Sequence, residues 1–431
     1  MTEASNRGWH QHLWHPFTQP GRGPAPLPVK GGQGVWLELE DGRRLIDGIS
    51  SWWVTLHGHS EPSIAAAIAR QAETLEQVIF ANFRHQPAAE LSERVCALWP
   101  GLERMFFSDN GSTAVEVALK MALQHSWRLG GQRRQVIAFE GAYHGDTFGA
   151  MAVGARGLFS APFEPLLFDV ARAPWPATWW GDEACEQKES TALVQLEQLL
   201  ETPTAAVILE PLLQGAGGMA MVRPEFLIAV QQRVRQAGAL LIADEVLTGF
   251  GRCGELFASL RAGIRPDLVA LSKGLTGGFL PMGVTLASEE LYQQFVGPEP
   301  ERTFFHGHSF TANPLGCAAA LASLELLQAR LKHYQSIEAK HQTHLERLAS
   351  LPQVKRPRLL GSIAAFELAG ASGYLEPIGL EVQRHCLAEG LFVRPLGSVV
   401  YLMPPLCIND QELERCYSVL SRVLERLPVQ S

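Results

Sequence analysis

The sequence predicts an α/β protein with a large domain built on a mostly parallel sheet and a smaller α+β domain at its C-terminal end. From about residue 61, helical stretches alternate with short apolar stretches that have no polar face. Strands that are apolar on both sides and separated by helices are typical of a parallel sheet covered by helices. Five such stretches predict strands, at residues 105–108, 135–139, 206–210, 240–244 and 268–272.

The regions before and after these alternating stretches differ from them in composition and in the predicted order of helices and strands. Pro and Gly crowd residues 20–34 and indicate an irregular lead-in, and Asp41-Gly42 between two apolar stretches predicts a β-hairpin,. After Gly316 a long helical pattern is followed by short strands that alternate with helices. We therefore predict an N-terminal segment, 1–60, that joins the small domain, a large cofactor-binding domain, 61–316, and a small domain, 317–431.

Composition excludes several classes of function. The 431 residues are 46% apolar and 19% charged, as in an ordinary globular protein, and the net charge of −8 comes without a block of like charges,. We therefore expect neither a nucleic-acid nor a membrane partner. No apolar stretch approaches the roughly 20 residues of a membrane-spanning helix, and the polar start shows no hydrophobic signal core, so we expect a cytoplasmic protein.

Cysteine and histidine patterns do not predict a metal or disulfide framework. The seven cysteines are scattered and never form a CxxC pair, which favours reduced thiols,. Histidines cluster at 10–15, 57–59 and 306–308, but no cysteine or acid completes a ligand set at metal spacing,. We expect no bound metal.

The sequence does not support two familiar motifs, the dinucleotide-binding GxGxxG and the hydrolase GxSxG. Residues 249–254 match GxGxxG, but the preceding strand is predicted to end near Asp244, and Asp244 and Glu245 occupy the turn where a pyrophosphate needs bare amides,. A glycine-rich loop is the better interpretation, and a nicotinamide dehydrogenase is excluded. A Ser-His-Asp hydrolase is also poorly supported, because the sequence has no GxSxG elbow,.

A better phosphate site lies at residues 108–114, Ser-Asp-Asn-Gly-Ser-Thr-Ala, between a predicted strand and a predicted helix. Free backbone N–H groups, the positive end of the helix dipole and the hydroxyls of Ser112 and Thr113 would converge there on a phosphate monoester. An ordinary helix cap is an equally good interpretation of this stretch by itself.

Two further groups follow predicted strands of the same sheet. Asp244 ends one strand and Lys273 follows another, so both side chains are expected at the crevice where the carboxyl ends of parallel strands meet,. Such a lysine could form a Schiff base, and the acid could keep a pyridinium nitrogen protonated. Alternatively, Lys273 is a solvated charge at a helix start and Asp244 a cap or half of a buried ion pair. A phosphate cradle, an acid and a lysine are together the three groups that hold pyridoxal 5′-phosphate (PLP), and Tyr143 could stack on its ring.

Over nearly its whole length the sequence resembles the class III, fold-type-I, PLP-dependent aminotransferases. The motifs that carry the resemblance are Leu241-Ile-Ala-Asp-Glu-Val-Leu-Thr-Gly-Phe-Gly-Arg, Pro266-Asp-Leu, Ser272-Lys-Gly-Leu-Thr-Gly-Gly, His15-Pro-Phe-Thr, Asp47-Gly-Ile-Ser-Ser-Trp-Trp, Gly141-Ala-Tyr-His-Gly-Asp-Thr, Gln214-Gly-Ala-Gly-Gly-Met, His306-Gly-His-Ser-Phe, Arg394-Pro-Leu-Gly and Tyr401-Leu-Met-Pro-Pro.

The resemblance implies a role for each matching residue. Lys273 would be the Schiff-base lysine, Asp244 the pyridinium partner and Tyr143 a further catalytic and cofactor-contacting residue. Gly111 and Ser112 would hold the phosphate. His308 and Ser309 would reach the phosphate of a neighbouring subunit, which implies a homodimer with shared active sites. Besides Tyr143 and Lys273, the substrate-contacting positions would be Phe17, Trp52, Gly307 and Arg394.

Within the family, the double tryptophan and the Tyr-Leu-Met-Pro-Pro motif resemble enzymes that aminate 8-amino-7-oxononanoate, a step of biotin biosynthesis, with S-adenosyl-L-methionine as donor. Arg394 suits this substrate, because a guanidinium binds a terminal carboxylate with two hydrogen bonds. The motifs at 306–309 and 278–281 also resemble relatives that use L-lysine as donor, and Phe17 stands where some members have Tyr. The alternatives are a class III aminotransferase for an ω-amino acid and a noncatalytic PLP-binding protein.

Overall fold

The computed structural model describes residues 12–18, 26–370 and 377–428. Its strands are β1 Val29–Gln33, β2 Trp36–Leu39, β3 Arg44–Asp47, β4 Arg104–Ser108, β5 Gln135–Phe139, β6 Ala171–Ala173, β7 Thr204–Leu209, β8 Leu213–Gln214, β9 Ala220–Met221, β10 Leu240–Asp244, β11 Leu268–Leu271, β12 Gly283–Ala287, β13 Val354–Leu360, β14 Ile363–Leu368, β15 Leu391–Phe392 and β16 Val399–Leu402.

Helices alternate with these strands along the chain. They are α1 Ser50–Trp53, α2 Pro62–Ala72, α3 Gln86–Cys96, α4 Gly111–Arg128, α5 Phe148–Val153, α6 Cys185–Leu200, α7 Pro224–Gln236, α8 Ala258–Ala262, α9 Glu289–Gln293, α10 Pro314–Leu348, α11 Pro377–Ala388 and α12 Asp410–Glu425. Short 3-10 helices span Ala161–Leu166, Lys273–Thr276 and Pro300–Arg302. Over the described ranges, no helix combines the length and apolar character needed to cross a membrane.

The large sheet has seven strands in the order β4-β12-β11-β10-β7-β5-β6. The pairs β11–β10, β10–β7, β7–β5 and β5–β6 are parallel, and β12 runs antiparallel to both of its neighbours. All five strands predicted from the apolar stretches belong to this sheet, and the mostly parallel α/β fold is confirmed. The sequence analysis did not identify β12 or β6.

Both faces of this sheet are buried, as the absence of a polar face in its strands predicted. In β5, Val136 and Ala138 pack into the apolar cluster around α4, whereas Ile137 and Phe139 pack into a separate cluster with α6 and α7. Alternate side chains of one strand therefore face opposite layers of helices.

A smaller sheet with the order β1-β2-β3-β15 joins the beginning and end of the chain, because Ile46 of β3 pairs in parallel with Leu391 of β15. Another sheet, β13-β14-β16, contains only strands from the C-terminal part of the chain, and β8 pairs with β9. The predicted hairpin at Asp41-Gly42 is the connection between β2 and β3. Residues 20–25 of the predicted Pro/Gly-rich lead-in lie outside the described residues. Its later part is more ordered than expected, because Val29–Gln33 forms the edge strand β1, where only one side needs hydrogen-bond partners,. The domain boundaries at 60/61 and 316/317 stay predictions.

Candidate active site

A cavity of about 710 Å3 lies at the carboxyl ends of the parallel strands. Four side chains line the cavity there. His144 lies in the loop after β5, Glu210 follows β7, Asp244 is the last residue of β10, and Lys273 follows β11. These side chains come from distant parts of the sequence, and the parallel arrangement brings their strand ends to one edge of the sheet. The cavity is therefore where the sequence analysis placed the two chemical groups Asp244 and Lys273.

Lys273 begins a short 3-10 helix in a left-handed backbone conformation, with φ of 38°. Its Nζ lies 4.7 Å from the ring centroid of Trp53. Loss of hydration lowers the pKa of the Lys273 amine to about 8. The negative charges of Asp244 and Glu210 raise this pKa and offset part of the effect,. A lysine in this position is partly neutral near physiological pH, which a nucleophilic or proton-transferring amine requires.

Asp244 is buried at the end of β10 and bonds to a histidine that the sequence analysis did not single out. Its Oδ2 lies 2.7 Å from Nδ1 of His144, and its Oδ1 accepts from the backbone N–H of Val246 at 3.1 Å. Because a carboxylate can only accept, His144 donates from Nδ1. The pair fixes the orientation of the acid. His144 belongs to the Gly141-Ala-Tyr-His-Gly-Asp-Thr motif, but no local sequence feature indicates that it faces Asp244.

Glu210 is a second acid of the cavity that the sequence analysis missed. Its carboxylate is buried and accepts from the backbone N–H groups of Tyr143 at 3.1 Å and of Gly215 at 3.0 Å. Burial raises the pKa of Glu210 to about 7, and the charge of Asp244 adds to the effect while that of His144 opposes it. Its position directly after the apolar stretch of β7 was the available signal.

The predicted phosphate site is both a helix cap and an open helix start. Asn110 caps α4 by accepting from the N–H of Thr113 at 3.0 Å, and Gly111 and Ser112 form the first turn at the cavity. Ser112 Oγ lies 2.7 Å from Thr147 Oγ1. A Cβ on Gly111 would stand 2.6 Å from a methyl of Val246, so only glycine leaves this wall undisturbed.

A second, more apolar cavity of about 730 Å3 adjoins the first and shares Trp52, Trp53 and Tyr143 with it. The ring of Trp52 lies 5.5 Å from that of Phe17, and the guanidinium carbon of Arg394 lies 4.5 Å from the Trp52 centroid. Tyr143 is 38% exposed and lines both cavities. The predicted substrate positions Phe17, Trp52, Tyr143 and Arg394 are thus brought together.

The two tryptophans belong to the short segment α1, whose backbone is a strained turn and not a regular helix. Ser50, Ser51 and Trp53 all have φ between 54° and 66°, a region that costs a non-glycine residue about 1–3 kcal/mol,. The turn places Trp52 and Trp53 in the lining of both cavities, and Trp53 donates from Nε1 to the hydroxyl of Tyr401 at 2.8 Å. No local pattern in the sequence indicates this backbone conformation.

Three predicted site residues do not line either cavity of the single chain: Gly307, His308 and Ser309. Nδ1 of His308 lies 3.4 Å from Oδ2 of Asp109, close to the start of α4, and the backbone oxygen of Ser309 accepts from Gln77 at 2.7 Å. The predicted role of His308 and Ser309 belongs to a neighbouring subunit, so their position within one chain does not test it. The substrate contact predicted for Gly307 stays a prediction.

The residues of the first cavity fit PLP. The start of α4 suits its phosphate, the Lys273 amine suits its aldehyde, and the buried Asp244 suits its ring nitrogen. Nε2 of His144 is a buried polar atom without a hydrogen-bond partner within the described residues, at the same wall. In contrast, over those residues no three His, Cys, Asp or Glu side chains converge as metal ligands would.

Comparisons with known proteins agree with this geometry. Residues 17–424 match the family model described as aminotransferase class-III. The chain is 57% identical to the adenosylmethionine-8-amino-7-oxononanoate aminotransferase of Synechococcus elongatus, over 97% of this chain and 99% of that protein. It is 41% identical to the enzyme of the same name from Geobacter sulfurreducens, over 95% and 94% of the two chains.

Solved structures show the same fold. A crystal structure of the adenosylmethionine-8-amino-7-oxononanoate aminotransferase from Methanocaldococcus jannaschii matches with a TM-score of 0.89 at 32% identity, covering 96% of this chain and 97% of that one. A PLP-bound amine transaminase from an uncultivated Pseudomonas species matches with a TM-score of 0.90 at 29% identity, covering 96% and 99%. The match of the family model over nearly the whole chain, together with these relatives, shows that the chain belongs to the class III aminotransferases.

Proposed function

We propose that this protein transfers an amino group from S-adenosyl-L-methionine to 8-amino-7-oxononanoate, forming 7,8-diaminononanoate in biotin biosynthesis, with PLP as cofactor. The names and high identity of the relatives support this reaction. The observation that carries it in the structure is that the cavity lined by Lys273 and Asp244 adjoins a more apolar one that is lined by Arg394. A long keto acid with a terminal carboxylate has the matching shape and charge.

Each cavity residue then has a defined task. PLP, when bound, supplies an electron sink that stabilises the charge left when a proton leaves the donor carbon. Gly111 and Ser112 would hold its phosphate at the start of α4. Asp244, oriented by His144, would keep the ring nitrogen protonated. Lys273 Nζ would hold the aldehyde end of the cofactor, and its amine would move the proton of the donor carbon as general base.

The second cavity orients the acceptor. Its walls are apolar at Phe17, Trp52 and Trp53, which suits an alkyl chain, and Arg394 offers its guanidinium to the terminal carboxylate,. Phe17 carries no hydroxyl, so at this position the pocket is shaped by the ring alone. Tyr143 lines both cavities, so it would contact cofactor and substrate.

We further propose a homodimer in which His308 and Ser309 reach the cofactor phosphate of the partner subunit. Aromatic side chains next to these residues support such an interface, because Phe305 and Phe310 are 76% and 63% exposed in the single chain. Large exposed apolar side chains next to a functional segment are typical of surfaces that a second copy covers. A cytoplasmic location is also proposed, and seven free cysteines support it,.

The half-reaction tests the donor and the acceptor separately. PLP-loaded protein is mixed with S-adenosyl-L-methionine or with L-lysine, the cofactor absorbance is followed, and 8-amino-7-oxononanoate is then added for mass analysis of the product. Conversion by adenosylmethionine and formation of diaminononanoate are expected. Conversion by lysine alone would keep the acceptor and change the donor.

If neither donor converts the cofactor, a panel of ω-amino acids such as ornithine and 4-aminobutyrate follows. Conversion by one of these would contradict the proposed reaction. Absence of any donor-induced loss of the cofactor absorbance would instead indicate a noncatalytic PLP-binding protein.

A further inference from the structure

A buried carboxylate lies behind the strained turn that carries Trp52 and Trp53. Asp47 ends β3 and has no exposed surface. Its Oδ1 accepts from the backbone N–H of Ile49 at 3.2 Å, and its Oδ2 accepts from the backbone N–H of Ser51 at 2.6 Å and from its hydroxyl at 3.1 Å. One side chain thus satisfies two backbone donors of the turn.

These hydrogen bonds account for the unusual backbone of the turn. For the N–H groups of Ile49 and Ser51 to point at the same carboxylate, the chain must fold back, and Ser50 and Ser51 adopt φ of 54° and 59°. The hydroxyl of Ser50 donates to the backbone oxygen of Met403 at 2.7 Å and holds the opposite side. A strained conformation persists only where its surroundings determine it in this way.

Asp47 also has a histidine partner outside the substrate cavities. Nε2 of His59 lies 3.0 Å from Oδ2 of Asp47, and the His59 side chain is 15% exposed. The buried guanidinium of Arg252 donates to the backbone oxygen of Thr55 at 3.1 Å. Burial lowers the pKa of Arg252, and the negative charge of Asp47 raises it and so opposes this shift. The other hydrogen bonds of the Asp47 carboxylate go to the turn.

The same residue is in register with the strand that delivers Arg394. Asp47 of β3 pairs in parallel with Phe392 of β15, two residues before Arg394. The guanidinium of Arg394 then lies above the ring of Trp52, with its carbon 4.5 Å from the centroid. Asp47 therefore lies at the base of the turn that carries Trp52 and in register with the strand that leads to Arg394.

We propose that Asp47, hydrogen-bonded to His59, is a positioning residue that sets Trp52 against Arg394 and thereby fixes the site of the acceptor carboxylate. The proposal rests on the proposed function, since it assigns the carboxylate of the keto acid to Arg394. Asp47 touches neither cavity, so its effect on substrate passes through the turn.

The test compares Asp47→Asn with the wild-type protein. An Asn side chain keeps one acceptor oxygen, but its NH2 group cannot accept, so either the N–H of Ile49 or that of Ser51 loses its acceptor,. With the PLP-loaded enzyme, kcat/KM is measured for 8-amino-7-oxononanoate and for its methyl ester, which removes the negative charge. We expect the preference for the free acid to fall by about tenfold or more, because misplacement of a binding group by about 1 Å is felt at this level.

A second readout does not depend on turnover. Amide hydrogen exchange of the peptide covering residues 48–55 is measured in the cofactor-free protein and is expected to rise in Asp47→Asn. Glu189→Gln is the matched control, because Glu189 is a buried acid paired with Arg223 at 2.6 Å, away from both cavities. It should leave the acid preference and the exchange of 48–55 unchanged even if its melting temperature falls.

Each outcome decides the proposal. An unchanged acid preference in a folded Asp47→Asn protein, or unchanged exchange of residues 48–55, overturns it. If Asp47→Asn does not fold, His59→Ala replaces it, and the acid preference must fall in the same direction. If the wild-type protein itself does not aminate the keto acid, the proposed function fails, and the exchange measurement alone decides whether Asp47 holds the turn.

Discussion

His144 donates from Nδ1 to Oδ2 of Asp244 across 2.7 Å, although the two residues are 100 positions apart in the sequence. Both side chains are buried, so the acid cannot exchange this partner for water. The bond joins the end of β5 to the end of β10 beneath the cavity and gives Asp244 one fixed orientation.

Replacing His144 by Ala should therefore weaken catalysis without removing any group that contacts substrate. Loss of a hydrogen bond to a charged group costs about 1.5–3 kcal/mol, and we expect kcat/KM to fall by roughly 10- to 100-fold. Steady-state kinetics and a PLP titration are the measurements. His341→Gln, at a buried histidine bonded to Tyr417 and remote from the cavity, is the control and should keep near-normal kcat/KM. Equal kinetics in both variants would refute the orienting role.

Replacing Lys273 by Ala should abolish turnover while PLP still binds noncovalently. In the proposed reaction the amine is both the covalent attachment point and the proton carrier, and loss of a general base alone costs up to about 10⁴-fold. Turnover is measured together with the cofactor absorbance after gel filtration. Lys188→Ala, where the amine pairs with Asp182 instead, should leave turnover intact. Near-normal turnover in Lys273→Ala would rule out the assignment.

The lowered pKa of Lys273 predicts how cofactor attachment depends on pH. The folded protein has a pKa of about 8 for this amine, below its ordinary value of 10.5, so the amine is mainly protonated below pH 8 and mainly neutral above it. Only the neutral amine attacks an aldehyde. The rate of covalent attachment of PLP to cofactor-free protein should rise with pH up to about 8 and then level off. A rate that keeps rising to pH 10 would show that burial does not lower this pKa.

Gly111→Ala should lower PLP affinity by blocking the start of α4. The new Cβ would stand 2.6 Å from a methyl of Val246. Because φ at Gly111 is not in the left-handed region, the substitution adds this steric conflict without backbone strain. Gly157→Ala is the matched control, because nothing lies within 4 Å of its Cβ position. The PLP dissociation constant, measured by fluorescence titration, should rise at least about tenfold for the first variant, given overpacking costs of about 1–3 kcal/mol. Equal affinities would mean that the phosphate lies elsewhere.

Arg394→Lys should raise KM for the keto acid while retaining the positive charge. A lysine cannot offer two parallel N–H groups to a carboxylate, and it loses the planar contact with Trp52,. We expect KM to rise about tenfold with little change in kcat measured at saturation. Steady-state kinetics with the keto acid as variable substrate decide. A change confined to the donor would contradict the placement of the acceptor carboxylate.

The two-faced burial of the central strands made much of the fold predictable. Val136 to Phe139 are apolar at every position because both faces of β5 pack against helices. The apolar pattern of a single strand therefore predicts that helices cover both faces of the sheet. β12 was missed because its five residues follow a Gly- and Pro-containing loop and lie antiparallel in a sheet that otherwise alternates with helices. The roles of the predicted site residues and the domain boundaries stay predictions.

By itself, the sequence determined the α/β fold, the family and the residue types of the cofactor site. It could do so because strand apolarity, the turn before α4 and the residues at strand ends are local features, and the family motifs are contiguous. Only the tertiary structure decided which side chains meet. The pairs His144 with Asp244 and Asp47 with His59, and the strained backbone at Ser51, depend on strand order and register, which no local pattern specifies,.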